Sequence, residues 1–149
     1  MAQDLPQIAA RALVLDANIL LRAVLGVRVR SLIERYADRV ALLTPASCVS
    51  EVNEYLPELC RKRSWEVGPS SELLQSLLGT IQVVDLSLLG EYEAEARQRI
   101  ARDPEDWPVV ALALAIDSPV WTEDTDFFGA GVSTWTTDTV ELYLGASSG

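Results

Sequence analysis

Four short apolar runs, each partly β-branched, punctuate the chain at residues 12–15, 40–43, 81–84 and 119–122, with a weaker fifth at 132–135. Continuous apolar runs of this length read as strands buried on both faces. Between them the pattern becomes helical. Residues 17–25 are apolar and helix-compatible, Gly26 interrupts them, and residues 29–37 continue with Leu32, Ile33 and Tyr36. Residues 46–63 carry Val49, Val52, Leu56 and Leu59 on one stripe, in which Pro57 predicts a kink because it removes a backbone donor. Residues 70–78 open on serine caps, 88–101 follow the third strand and 109–116 precede the fourth. Strands separated by helices need crossover connections, so the pattern predicts an α/β fold. The expected form is a three-layer α/β/α sandwich with a mostly parallel sheet of four to five strands. In such sheets ligands bind beyond the carboxyl ends of the strands, near the switch point.

Composition narrows the chemistry. At 149 residues and 49% hydrophobic, the chain fits a single domain over 1–149 with a real core, residues 1–10 and 145–149 reading as frayed ends. The longest apolar run, 109–116, is too short to cross a bilayer, and the start is too polar before Ala12 for a signal peptide. A cytoplasmic protein with no membrane contact is expected. With no histidine, the chain supplies no Ser-His-Asp or Cys-His pair, no two-His zinc site and no imidazole base. Only Cys48 and Cys60 are present, so neither a structural zinc site nor a disulfide framework fits. The net charge is −10, and it is unevenly placed: residues 1–75 carry nine charges of each sign, residues 76–149 three basic against thirteen acidic.

Several acids fall where the strands end. Asp16 directly follows the first strand and Asp124 stands two residues beyond the fourth; each also fits a cap or turn, with Asn18 beside Asp16 and Asp126 as an alternative cap. Asp103, Glu105 and Asp106 cluster before the helix leading into the fourth strand, more acid than capping requires, and Pro108 places Asp106 at that helix's start. Glu51 lies one turn into the helix after the second strand, on the shoulder of its apolar stripe, while Glu54 and Glu58 read as a solvated face. The sheet geometry brings Asp16, Glu51, Asp106 and Asp124 toward one edge, where unpaired carboxylates repel unless cations sit among them. Oxygen-only donors select hard ions, here Mg²⁺ or Mn²⁺. Such ions activate water and neutralise phosphodiester oxygens, which removes the need for a histidine base.

Taken in order, these residues resemble a PIN domain, the fold of the VapC-type toxin nucleases. The resemblance rests on Val14-Leu15-Asp16-Ala17-Asn18, Glu51 on the second-strand helix, Asp106 opening the apolar helix that begins Trp107-Pro108, and Trp121-Thr122-Glu123-Asp124-Thr125-Asp126-Phe127. It covers almost the whole chain. It implies an acidic pocket that binds one or two divalent ions and cleaves RNA, with Asp16, Glu51, Asp106 and Asp124 as catalytic and metal-binding residues. Asp126 joins them as a metal-binding candidate, and Asn18 and Thr122 as supports. It further implies a small antitoxin inserted in the active-site groove and a homodimer.

Two other function classes start similarly. A haloacid-dehalogenase-like phosphatase also places Asp after its first strand but needs a second acid where this chain has Asn18. A receiver domain needs a strand-end lysine, and the only lysine, Lys62, is in a helix. A catalytically idle PIN module, or a PIN nuclease of RNA processing, is the remaining alternative to a toxin. For RNA phosphates the first half supplies Arg22, Arg28, Arg30, Arg61, Lys62 and Arg63, though Arg61 to Arg63 equally suit a helix C-terminus. Trp65 and Trp107 offer base-stacking faces but are expected to be buried or half-buried instead.

Overall fold

The computed structural model describes residue 5 and residues 11–146. Its sheet comprises β1 (Ala12–Leu15), β2 (Ala41–Pro45), β3 (Gln82–Val84), β4 (Val120–Trp121) and β5 (Thr134–Trp135), in the order β3-β2-β1-β4-β5. All neighbouring pairs are parallel, and Val14 is in register with Leu43 on one side and Val120 on the other. β1 is central and all of its residues are buried, as its unbroken apolar sequence requires.

Helices α1 (Ala17–Leu25), α2 (Arg28–Tyr36), α3 (Ala46–Lys62) and α4 (Val67–Leu78) pack on one another. A second group pairs α5 (Glu93–Arg99) with α6 (Trp107–Ile116), and α6 also lies against β1 and β2. The result is the expected α/β/α sandwich. Its core runs along both faces of β1 and through α6, which is apolar all round and buried from Trp107 to Ala113. A last helix, α7 (Val140–Leu144), closes the described chain.

The helix expected over 88–101 is instead two 3₁₀ turns, Leu86–Leu88 and Gly90–Tyr92, followed by α5. Asp85 accepts from Ser87 N–H and fixes the first turn locally, and Gly90 breaks the register before the helix proper. The kink expected at Pro57 does not interrupt α3, which runs unbroken through it: Pro57 lies on the exposed face, where water can satisfy the carbonyl it leaves free. α4 starts at Val67, earlier than its serines suggested, because Pro69 sits in the first turn and needs no donor there. α7 carries too few residues for a periodic signal, although Thr136, Thr137 and Thr139 precede it. The expected frayed ends fall mostly outside the described residues. Gly145 and Ala146 are held: Gly145 N–H donates to Glu141 O, and Arg11 donates to Ala146 O. No helix among the described residues is long and apolar enough to cross a membrane.

Candidate active site

The strand order reverses at β1, whose neighbours are β2 and β4, and the chain leaves β1 and β4 at the same edge. That switch point is where an open parallel sheet leaves a crevice. Asp16 follows β1 and Thr122 to Asp124 follow β4, so both sides of the crevice are lined with polar groups. α6 runs back against the strands as a crossover helix must, which brings its N-terminal residue, Asp106, to this edge as well. α3 begins at Ala46 directly after β2, and Glu51 is thereby carried over the edge on its second turn.

Asp16 is almost fully buried, at 5% exposure, and both of its oxygens are used. Oδ1 accepts from Ala17 N–H at 2.8 Å, capping α1. Oδ2 accepts from the Thr122 hydroxyl at 2.8 Å and from Asn18 Nδ2 at 2.7 Å. Oδ1 thus serves as the helix cap, while Oδ2 is held by Thr122 and Asn18. Thr122 Oγ1 in turn accepts from Asp124 N–H at 2.9 Å, and Asn18 Oδ1 accepts from Glu123 N–H at 3.2 Å. Asn18 and Thr122 thus tie the end of β1 to the loop after β4. Asp124 caps the 3₁₀ turn Thr125–Phe127 by accepting from Asp126 N–H at 2.9 Å, so it is Asp124, not Asp126, that caps.

Burial raises the Asp16 carboxyl from 3.8 to about 6; the Thr122 and Ala17 hydrogen bonds oppose the rise, and repulsion from Asp124 and Glu51 adds to it. Burial likewise lifts Asp106 from 3.8 to about 8, reinforced by repulsion from Asp16, by Asp103 as neighbour and hydrogen-bond partner, and by Asp124. Asp106 occupies the cap position of α6 yet makes no capping bond, which leaves its carboxyl turned to the other acids. Glu51 is raised by desolvation, then by Asp103 and Glu54. Asp16 therefore lies within electrostatic reach of Glu51, Asp106 and Asp124, and Asp103 acts on both Asp106 and Glu51. A cavity of about 50 Å³ is lined by Asp16, Glu51 and Asp106 together with Ser47, Cys48 and Glu105.

Asp126 stands apart from this group, its carboxylate 3.8 Å from Arg102 Nε. Glu54 and Glu58 are exposed, as expected, and Glu58 is paired with Arg61. Sequence reasoning passed over Cys48, whose buried thiol is pushed well above its ordinary range by burial first and by Asp16 next. It also passed over Glu123, whose carboxylate accepts from Thr137 N–H at 2.7 Å. Glu123's place between Thr122 and Asp124 was the available signal. Both cysteines are buried and free.

The described residues contain no three acid or cysteine side chains already converged on one point. The donor set nonetheless fits a hard divalent ion. It is all oxygen, and two of its members, Asp16 and Asp106, are raised by burial first and by neighbouring carboxylates as well, a crowding that a divalent cation would relieve.

The basic residues divide. Arg30 donates to Ala23 O, Arg61 pairs with Glu58 at 2.6 Å, and Arg28 pairs with Asp138 at 2.9 Å. Arg63 lies over the Trp65 ring, 5.3 Å from its centroid. Arg22 and Lys62 are exposed. Of the two tryptophans, Trp107 is buried as expected, whereas Trp65 is 44% exposed: it follows the end of α3, where no helix covers it.

A family model described as a PIN domain matches residues 14–145, and the chain belongs to that family. Among solved structures it is similar to a Pyrobaculum aerophilum protein, at 17% identity and a TM-score of 0.71 over 99% of each chain. It is also similar to a chain of the Rickettsia felis VapBC2 assembly bound to a promoter DNA fragment, at 15% identity and a TM-score of 0.67 over 84% of this chain and 98% of that one. A chain of the FitAcB structure from Neisseria gonorrhoeae gives 21% identity and a TM-score of 0.57 over 84% and 97%. At these identities the likeness is one of fold. No curated protein matches the sequence.

Proposed function

We propose that the protein is a divalent-metal-dependent endoribonuclease and the toxin of a toxin-antitoxin pair. The observation that carries the reading is the cluster of Asp16, Glu51, Asp106 and Asp124 at the β1/β4 switch point, with Asp16 and Asp106 raised by burial and crowding. These four carboxylates would hold Mg²⁺ or Mn²⁺, with Asp126 at the margin. A bound ion of this kind supplies an activated water and neutralises phosphodiester oxygens. The chain's own contribution is positional. Thr122 and Asn18 fix the Asp16 carboxylate by donating to Oδ2, and Thr122 simultaneously holds the Asp124 backbone. Asp106 and Asp16 give up protons as an ion is taken up, which couples metal affinity to pH. A protein without histidine would perform hydrolysis this way without an imidazole base.

The toxin assignment is supported by the likeness of fold to chains from assemblies described as VapBC2 and as a toxin-antitoxin complex. On this reading RNA is the substrate, a small antitoxin is the partner and the protein acts as a homodimer. The test is incubation of the purified protein with single-stranded RNA in Mn²⁺ or Mg²⁺, beside EDTA and an Asp16→Asn variant. Cleavage dependent on both metal and Asp16 is expected. Cleavage that survives EDTA and the substitution contradicts the proposal. No cleavage with a clear Mn²⁺-induced thermal shift favours the idle module instead.

A further inference from the structure

The acidic cavity is not the roomiest one among the described residues. A groove of about 820 Å³ runs beside it, between the α1–α2 corner and the end of α3, with Glu123 and Thr137 at its base. Arg22, Arg28 and Arg63 line it, together with apolar Leu25, Val27 and Leu59 and the carboxylates of Glu123 and Asp138. In a chain of net charge −10, three guanidinium groups around one groove are a local exception. Two contacts join this groove to the carboxylates. Asn18, which donates to Asp16, also accepts from Glu123 N–H, and Glu123 lines the groove. Arg22 follows Asn18 by one turn on the same face of α1, about 6 Å along the axis.

Resting on the nuclease reading above, we propose that this groove is the track for the single-stranded RNA flanking the scissile bond. Arg22 contacts the neighbouring phosphate, Arg63 a further one, and Trp65 offers a stacking face to a base beyond it. A nucleic-acid strand matches both kinds of lining group: phosphates meet the guanidinium groups, and base faces meet the apolar side chains. Arg28 joins by exchange. Its partner Asp138 is 82% exposed and the pair is open to solvent, so a phosphate can displace it at little cost. The Arg63 guanidinium and the Trp65 ring are already held together, which lowers the ordering cost of that stacking step.

The test uses a short fluorescein-labelled single-stranded RNA of mixed sequence, cut in Mn²⁺ by wild type, Arg22→Gln, Arg63→Gln, Trp65→Ala and, as a control, Arg35→Gln, whose partner is Glu141. Each groove variant is expected to raise KM about tenfold with kcat nearly unchanged, the size of one charged hydrogen bond or one base stack. The slope of log affinity against log salt should fall by about 0.7 for each arginine removed. Arg35→Gln should match wild type. If the groove variants keep the wild-type KM and salt slope while Asp16→Asn abolishes cutting, the track is overturned and the nuclease reading stands. If wild type neither binds nor cuts RNA, both are overturned. Groove variants that lose only an acidic protein partner, with RNA kinetics intact, overturn the track and assign the groove to that partner.

Discussion

At the residue scale, Thr122 is the hinge of the site. Its single hydroxyl donates to Asp16 and accepts from Asp124 N–H and Asn18 Nδ2, and the residue is fully buried. Thr122→Val keeps the shape and removes all three bonds. It should lower stability by about 1–3 kcal/mol, because buried donors are left unpaired, and lower kcat far more than KM. Thr122→Ser restores the hydroxyl and should recover most of both. Denaturant unfolding beside RNA-cleavage kinetics reads the two effects separately. The place of Asp16 was legible in the sequence because an acid directly after the first strand falls at the carboxyl edge of the sheet whether or not it caps the next helix, and it does cap α1. Among Asp103, Glu105 and Asp106 the sequence left the choice open, since three acids within four residues share every local signal. Asp106 is set apart by lining the small cavity beside Asp16, which Asp103 does not, and by its repulsion from Asp16 and Asp124.

At the element scale, the inner strands β1, β2 and β4 were readable because both faces of the sheet are covered there, which turns buried strands into plain apolar runs. The region from Leu86 to Tyr92 was not, because local hydrogen bonds such as Asp85 to Ser87 decide its shape and leave no period. α7 was missed for its shortness. Pro57 illustrates a third case, a local rule outweighed by packing: Val52, Leu56 and Cys60 bury the opposite side of α3 and carry the helix through the proline. Pro57→Ala removes the ring's clash and restores the donor toward Asn53 O. It should therefore stabilise the protein by about 1–3 kcal/mol, less than or equal to the full cost of proline in a helix, while leaving cleavage unchanged. The midpoint of urea unfolding checks this.

At the scale of the whole molecule, charge and stability are linked through the acidic edge. Asp16 is raised from 3.8 to about 6 and Asp106 to about 8, so the folded protein binds more protons than the unfolded chain between those limits. Their contribution to metal-free stability is accordingly fully present below about pH 4 and is lost as pH rises to about 8. Asp16 alone contributes about 3 kcal/mol of that loss. Thermal unfolding in EDTA should show the melting temperature dropping across this window, and Mn²⁺ should restore it at the upper end. An unchanged melting temperature across the window in EDTA contradicts the crowded-carboxylate picture. The deficit of −10, which by itself disfavours binding a polyanion, is concentrated partly where a cation is needed, while Arg22, Arg28 and Arg63 line the adjoining groove. The central claim is that Asp16, Asp106 and their neighbours form a cation site whose protons leave as the ion arrives. Calorimetric titration of Mn²⁺ at neutral pH, repeated in buffers of different ionisation enthalpy, measures both parts at once. Binding accompanied by release of about one proton, the proton release lost in Asp106→Asn, is the predicted result. No binding by the wild-type protein, or binding with no proton released, would contradict it.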